Sequence, residues 1–115
     1  MASTIIKKII ATSMAPRPLA PYNQAIVVDR TVYLSGVLGM DKDTLKIVSG
    51  GVVPEAKLAL ENMQHILTAA GSKVDNVIKC TVLLNDINDF GAVNEEYKKG
   101  LSLNIIIIVI KVKKK

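Results

Sequence analysis

The chain has 115 residues, half of them hydrophobic, with one cysteine, no tryptophan and a formal charge of +5. Such a length is one domain, able to bury roughly two-thirds of its unfolded surface around an aliphatic core, and the lone Cys80 excludes an internal disulfide framework. The charge is local: residues 101–115 hold Lys111, Lys113, Lys114 and Lys115 and no acid, leaving 11 basic against 10 acidic side chains elsewhere.

A nearly neutral body with four Tyr and Phe side chains argues against RNA recognition by the fold itself. No run approaches the roughly 18 apolar residues of a membrane span. Lys7 and Lys8 interrupt any signal-peptide core, so cytoplasm is the expected location, with the mitochondrion left open.

Residues 5–12 read as a first strand, although two apolar, two lysine and two apolar positions are not a clean alternation. Pro16, Pro18 and Pro21 then make a loop that is neither helix nor central strand, because each fixes φ and removes a donor. Such a loop presents Tyr22 in a fixed place. Residues 25–28 and 31–35 predict a hairpin around Asp29 and Arg30, with Val32 and Leu34 on one face and Thr31, Tyr33 and Ser35 on the other.

Residues 36–51 predict a loop with turns at Asp41–Asp43 and at Gly50–Gly51. A helix is expected to begin near Pro54. Ala56, Leu60, Met63, Leu67 and Ala70 give its apolar face, and Gly71 its end. Residues 76–84 alternate as a half-buried strand, with Ile78, Cys80, Val82 and Leu84 inward. Asn88 or Asp89 would cap a second helix with Phe90, Val93 and Tyr97 on its inner stripe, closed by Gly100. Residues 103–112 are a strand by composition. About five strands and two helices on one face of the sheet make an α+β sandwich.

Ala20-Pro21-Tyr22-Asn23-Gln24-Ala25, Tyr33-Leu34-Ser35-Gly36, and the run from Val77 through Leu84 into Asp86-Ile87-Asn88-Asp89-Phe90 together resemble the RidA family. These are the YjgF-type reactive-imine deaminases, also described as perchloric-acid-soluble (L-PSP) translation inhibitors, and the wording is closest to animal members. The likeness runs from about residue 5 to residue 99. It implies a chorismate-mutase-like fold and a homotrimer with pockets between subunits. It also implies hydrolysis of 2-imino acids, such as 2-iminobutanoate and 2-iminopropanoate, to 2-oxo acids and ammonia, with no cofactor and no metal. Tyr22, Ser35 and Asn94 match the family's catalytic positions, and the backbone of Gly36 a substrate-binding one.

The chain departs from the pattern in two places. The family's carboxylate-binding arginine after the second helix has no counterpart, since no arginine follows Arg30. Its water-handling glutamate has none either, since no acid follows Glu96. Residues 1–100 are thus expected to form the RidA-like domain, with an Ile- and Lys-rich segment, 101–115, in place of the family's last strands. Arg17 is the candidate substitute clamp. An RNA-cleaving translation inhibitor and a binding protein without turnover are the alternatives.

Each residue also has a plainer reading. Tyr22 would be a loop anchor, Ser35 part of a solvent face, Asn94 an exposed helical side chain, and Cys80 a buried, inert thiol. His65 reads as a helix-surface residue. Gly50-Gly51 lacks the spacing of a phosphate loop.

Overall fold

The computed structural model describes residues 4–100 and the backbone of residues 106–111. Strands β1 (Lys7–Ile10), β2 (Ala25–Val28) and β3 (Thr31–Leu34) form an antiparallel sheet in that order. Helix α1 (Val52–Ala69) follows, then β4 (Lys79–Leu84), helix α2 (Phe90–Gly100) and β5 (Ile106–Lys111). β5 lies parallel to β4, so α2 is the crossover of a βαβ unit. The α+β expectation holds. Among the described residues, however, the strands pair as a three-stranded and a two-stranded sheet.

The hairpin forms where expected. Its turn places Asp29 at φ 52°, a left-handed geometry that aspartate tolerates better than most residues. Ile10, Ala25 and Leu34 stand opposite one another and Ile66 packs on the same cluster, so this row faces the core. The neighbouring row, Ile9, Ile26 and Tyr33, faces away, and Ile9 and Tyr33 are exposed. β4 repeats the pattern: Val82 and Leu84 are buried against Val93 of α2, and Leu83 points outward. One side of the fold is therefore covered by helices, while the other carries exposed Ile9, Tyr33 and Leu83.

α1 starts two residues before the expected Pro54, because Gly50 and Gly51 take φ of 110° and 94° and turn the chain directly into the helix. It buries Met63, Ile66 and Leu67, each worth roughly 1.5–3 kcal/mol of transfer free energy. Its end is a Schellman motif: Ser72 N–H donates to the Leu67 carbonyl at 2.8 Å and Gly71 N–H to Thr68 at 3.0 Å, with Gly71 at φ 82°.

Five expectations need correction. A 3₁₀ turn over Val74–Asn76 delays β4 to Lys79, so Val77 rather than Ile78 meets the core, and Ile78 is 75% exposed. Asp86, not Asn88 or Asp89, caps the entry to α2: its carboxylate accepts from Asn88 N–H at 2.9 Å and begins a 3₁₀ turn ahead of the helix. Phe90, first in the helix after that turn, is 42% exposed and is not part of the inner stripe, which Val93 and Tyr97 supply. His65 and Cys80 are each half-buried rather than fully on the surface or fully inside.

Candidate functional site

The proline loop ends in a tight turn: Tyr22 N–H donates to the Ala20 carbonyl at 2.7 Å, closing a γ-type turn on Pro21, whose fixed φ suits the inverse form. Tyr22 emerges from it half in solvent, at 50% exposure. Its side chain is therefore not the packed anchor of the plainer reading.

From Tyr22 the chain enters β2, and the β2–β3 pairing continues one step beyond the regular ladder. Ser35 N–H donates to the Gln24 carbonyl at 3.0 Å, and the Ser35 hydroxyl donates to the Asn23 carbonyl at 2.5 Å. These two bonds bring Tyr22-Asn23-Gln24 and Ser35-Gly36 together at one sheet end, although 12 residues separate Asn23 from Ser35. The hydroxyl proton is committed to Asn23, so the oxygen's remaining lone-pair capacity is what it can offer a ligand. Gly36 is exposed, and a methyl group on its Cα would meet no heavy atom within 4 Å. Its backbone is approachable from that side.

The structure does not join the other candidates to this cluster. Asn94 is half-buried on α2 beside buried Val93, with no side-chain hydrogen bond to another described residue. Arg17 is exposed on the proline loop, and the ion pairs among the described residues (Lys42–Asp43, Lys98–Glu95 and Lys99–Glu96) do not include it. A cavity of about 180 Å³ between α1 and α2, with Lys57, Glu61, Glu96 and Lys99 at its walls, contains none of the candidates. Among the described residues no three of His, Cys, Asp and Glu gather as a metal site. No described helix is long and apolar enough to cross a membrane.

Two residues that sequence reasoning passed over hold the loops on either side of the cluster. Gln24 and Asn62 are the buried polar side chains among the described residues. Gln24 binds backbone at Thr12, Ala15 and Pro16, and Asn62 donates to the Leu38 and Met40 carbonyls, both at 3.0 Å. A polar residue at an otherwise apolar inward position was the available signal: Asn62 beside Met63, and Gln24 just ahead of Ala25.

The chain is thus a small α+β protein with a proline loop held against an open serine–glycine strand end. The family described as Endoribonuclease L-PSP matches residues 12–109. The RutC family protein UK114 of Drosophila melanogaster is 62% identical over 97 residues, 84% of this chain and 70% of that one. The 2-iminobutanoate/2-iminopropanoate deaminase of Homo sapiens is 54% identical over 102 residues, 89% of this chain and 74% of that one. The crystal structure of RidA from the Antarctic bacterium Psychrobacter sp. superposes with a TM-score of 0.87 at 35% identity, covering 91% of this chain and 85% of that one. The chain belongs to the RidA/YjgF (L-PSP) family.

Proposed function

We propose that this chain is a deaminase of 2-imino acids such as 2-iminobutanoate and 2-iminopropanoate, acting at the Tyr22/Ser35/Gly36 cluster. The observation that carries the reading is the pair of bonds joining the Asn23 and Gln24 carbonyls to Ser35, which brings the backbone that carries Tyr22 to the strand end that carries Ser35 and Gly36. Relatives from Homo sapiens and Rattus norvegicus, 54% and 57% identical, bear the name of that activity.

The reaction adds water across C=N to give a tetrahedral carbinolamine, which expels ammonia and leaves the 2-oxo acid. Tyr22 orients the water. The Ser35 oxygen accepts a hydrogen bond from the imine or from the attacking water, and the Gly36 backbone supports the charge that develops. Arg17, exposed and outside the ion pairs of the described residues, is the candidate for the carboxylate clamp, a role that its planar fork suits, although no bond joins it to the cluster within one chain. No cofactor enters the step.

Asn94 completes the site from another copy of the chain. In support, Asn94 has no bonded link to Ser35 within one chain, and the exposed face with Ile9, Tyr33 and Leu83 needs cover. A homotrimer is the proposed assembly, with residues 1–100 as its domain and 101–115 as a divergent segment. Light scattering should give three times the 12.4 kDa of one chain.

The deciding experiment generates 2-iminobutanoate with threonine dehydratase, adds the folded chain, and follows 2-oxobutanoate against a semicarbazide trap for surviving imine. Faster release than without the chain supports turnover. A folded chain with no effect favours the second reading, a binding protein without turnover. The lack of an arginine in the stretch just after the second helix, where the resemblance expects the carboxylate clamp, speaks for that reading. RNA cleavage, the activity named in the family description, is disfavoured by the near-neutral body.

A further inference from the structure

We propose that Gln24 is a positioning residue of this site: its buried amide fixes where Tyr22 stands relative to Ser35. The inference rests on the reading of Tyr22 and Ser35 as site residues.

Gln24 is 5% exposed, and both ends of its amide are bonded to the loop. Oε1 accepts from Thr12 N–H at 2.7 Å, and Nε2 donates to the Thr12 carbonyl at 3.1 Å and the Pro16 carbonyl at 2.9 Å, with the Ala15 carbonyl at 3.4 Å. Against Thr12 the amide acts as a neighbouring strand would, taking one N–H and giving one N–H. This continues sheet-like bonding into a stretch whose prolines cannot supply it.

The constraint then reaches Tyr22 by a short route. Pro16 is held by Gln24 itself, and Pro18 and Pro21 restrict φ on the way to the turn that releases Tyr22. At the other end, the Gln24 carbonyl accepts from Ser35 N–H at 3.0 Å. One residue therefore grips the proline loop with its side chain and the serine strand with its backbone. No other side chain–backbone hydrogen bond among the described residues ties the loop to the sheet from a buried position.

The chain has three tyrosines, so 3-fluorotyrosine labelling gives three ¹⁹F resonances. Gln24→Met keeps the length of the side chain and removes every amide bond; Gln24→Glu keeps the acceptor for Thr12 N–H and loses the donors while the carboxyl is ionised. In both variants the Tyr22 resonance should move toward its position in the unfolded chain while those of Tyr33 and Tyr97 stay. Exchange of the Thr12 amide should quicken in Gln24→Met. On a chain that turns over 2-iminobutanoate, kcat/KM should fall by about 100-fold, the scale of a misplaced catalytic group. A Tyr22 resonance that stays put would overturn the proposal. So would movement of all three, which would make Gln24 a support of the whole core. A wild-type chain without turnover would instead sink the deaminase reading and leave the tyrosine resonances to decide the placement of Tyr22.

Discussion

The Ser35 hydroxyl donates to the Asn23 carbonyl at 2.5 Å, across the end of the hairpin rather than along it. That bond closes the strand end next to Tyr22 and commits the hydroxyl proton, leaving the serine oxygen free only as an acceptor. Ser35→Ala should lose it while keeping the Ser35 N–H bond to Gln24, at a cost of about 0.5–1.5 kcal/mol in urea unfolding. Release of 2-oxobutanoate should fall far more than that stability loss explains. Equal rates for variant and parent would remove Ser35 from the chemistry.

The loop on the other side of Ser35 depends on Asn62 and Gly39 together. Asn62 donates to the carbonyls on either side of Gly39, and a Cβ at Gly39 would collide with the backbone of Glu55 in the first turns of α1. Asn62→Leu leaves two carbonyls to find new partners and should cost about 1–3 kcal/mol for each that stays dry. Gly39→Ala should cost about 1–3 kcal/mol, because backbone cannot step aside as a side chain does. Urea midpoints measure both, and a neutral Gly39→Ala would mean that the loop–helix contact is looser than described.

Periodicity made the core readable. The three- and four-residue recurrence through Met63, Leu67 and Ala70 and the two-residue recurrence through Cys80, Val82 and Leu84 state which faces are buried, and both faces are where they should be. Local turn chemistry was less legible. The Val74–Asn76 turn shifts Ile78 out of register, and a 3₁₀ turn leaves no period to detect over three residues. The site was legible only through its motif. Nothing in the composition of Asn23, Gln24 or Ser35 says that their chain segments meet, because the bonds that join them end on backbone carbonyls. The loop anchors Gln24 and Asn62 were half legible: a polar residue at an inward position is a signal, but their partners are backbone carbonyls and a backbone N–H, which every sequence has.

Asp41 gives the 36–51 loop a pH dependence. Its carboxylate accepts from the N–H groups of Asp43 and Thr44 at 2.8 and 2.9 Å. Those bonds, that from Thr44 first, hold its pKa below the ordinary carboxylate value, with Lys42 adding to the effect. A lowered folded-state pKa means stabilisation that is full above the unfolded value of about 3.9 and is lost as pH falls through the folded one. The amide resonances of Asp43 and Thr44 should titrate together at a midpoint below about 3.9, and Asp41→Asn should abolish that step. A midpoint at or above the ordinary value would show that the turn does not stabilise the charge.

Cys80 tests the packing behind the site. It lies against the Met63 and Leu67 cluster, which Tyr97 also joins, and burial pushes the thiol pKa upward; burial, and then the neighbouring Cys80, raises that of Tyr97. The thiolate is the reactive form, so at pH 8 Cys80 should react with a disulfide reagent more slowly than a free thiol. In urea it should react at the free rate. Cys80→Ser puts a hydroxyl in the same apolar contact and should lower stability by about 1–3 kcal/mol unless it finds a partner. Fast labelling of the native chain would mean that the strand edge opens before the protein unfolds, and that β4 is held less firmly than its contacts with α1 and α2 require.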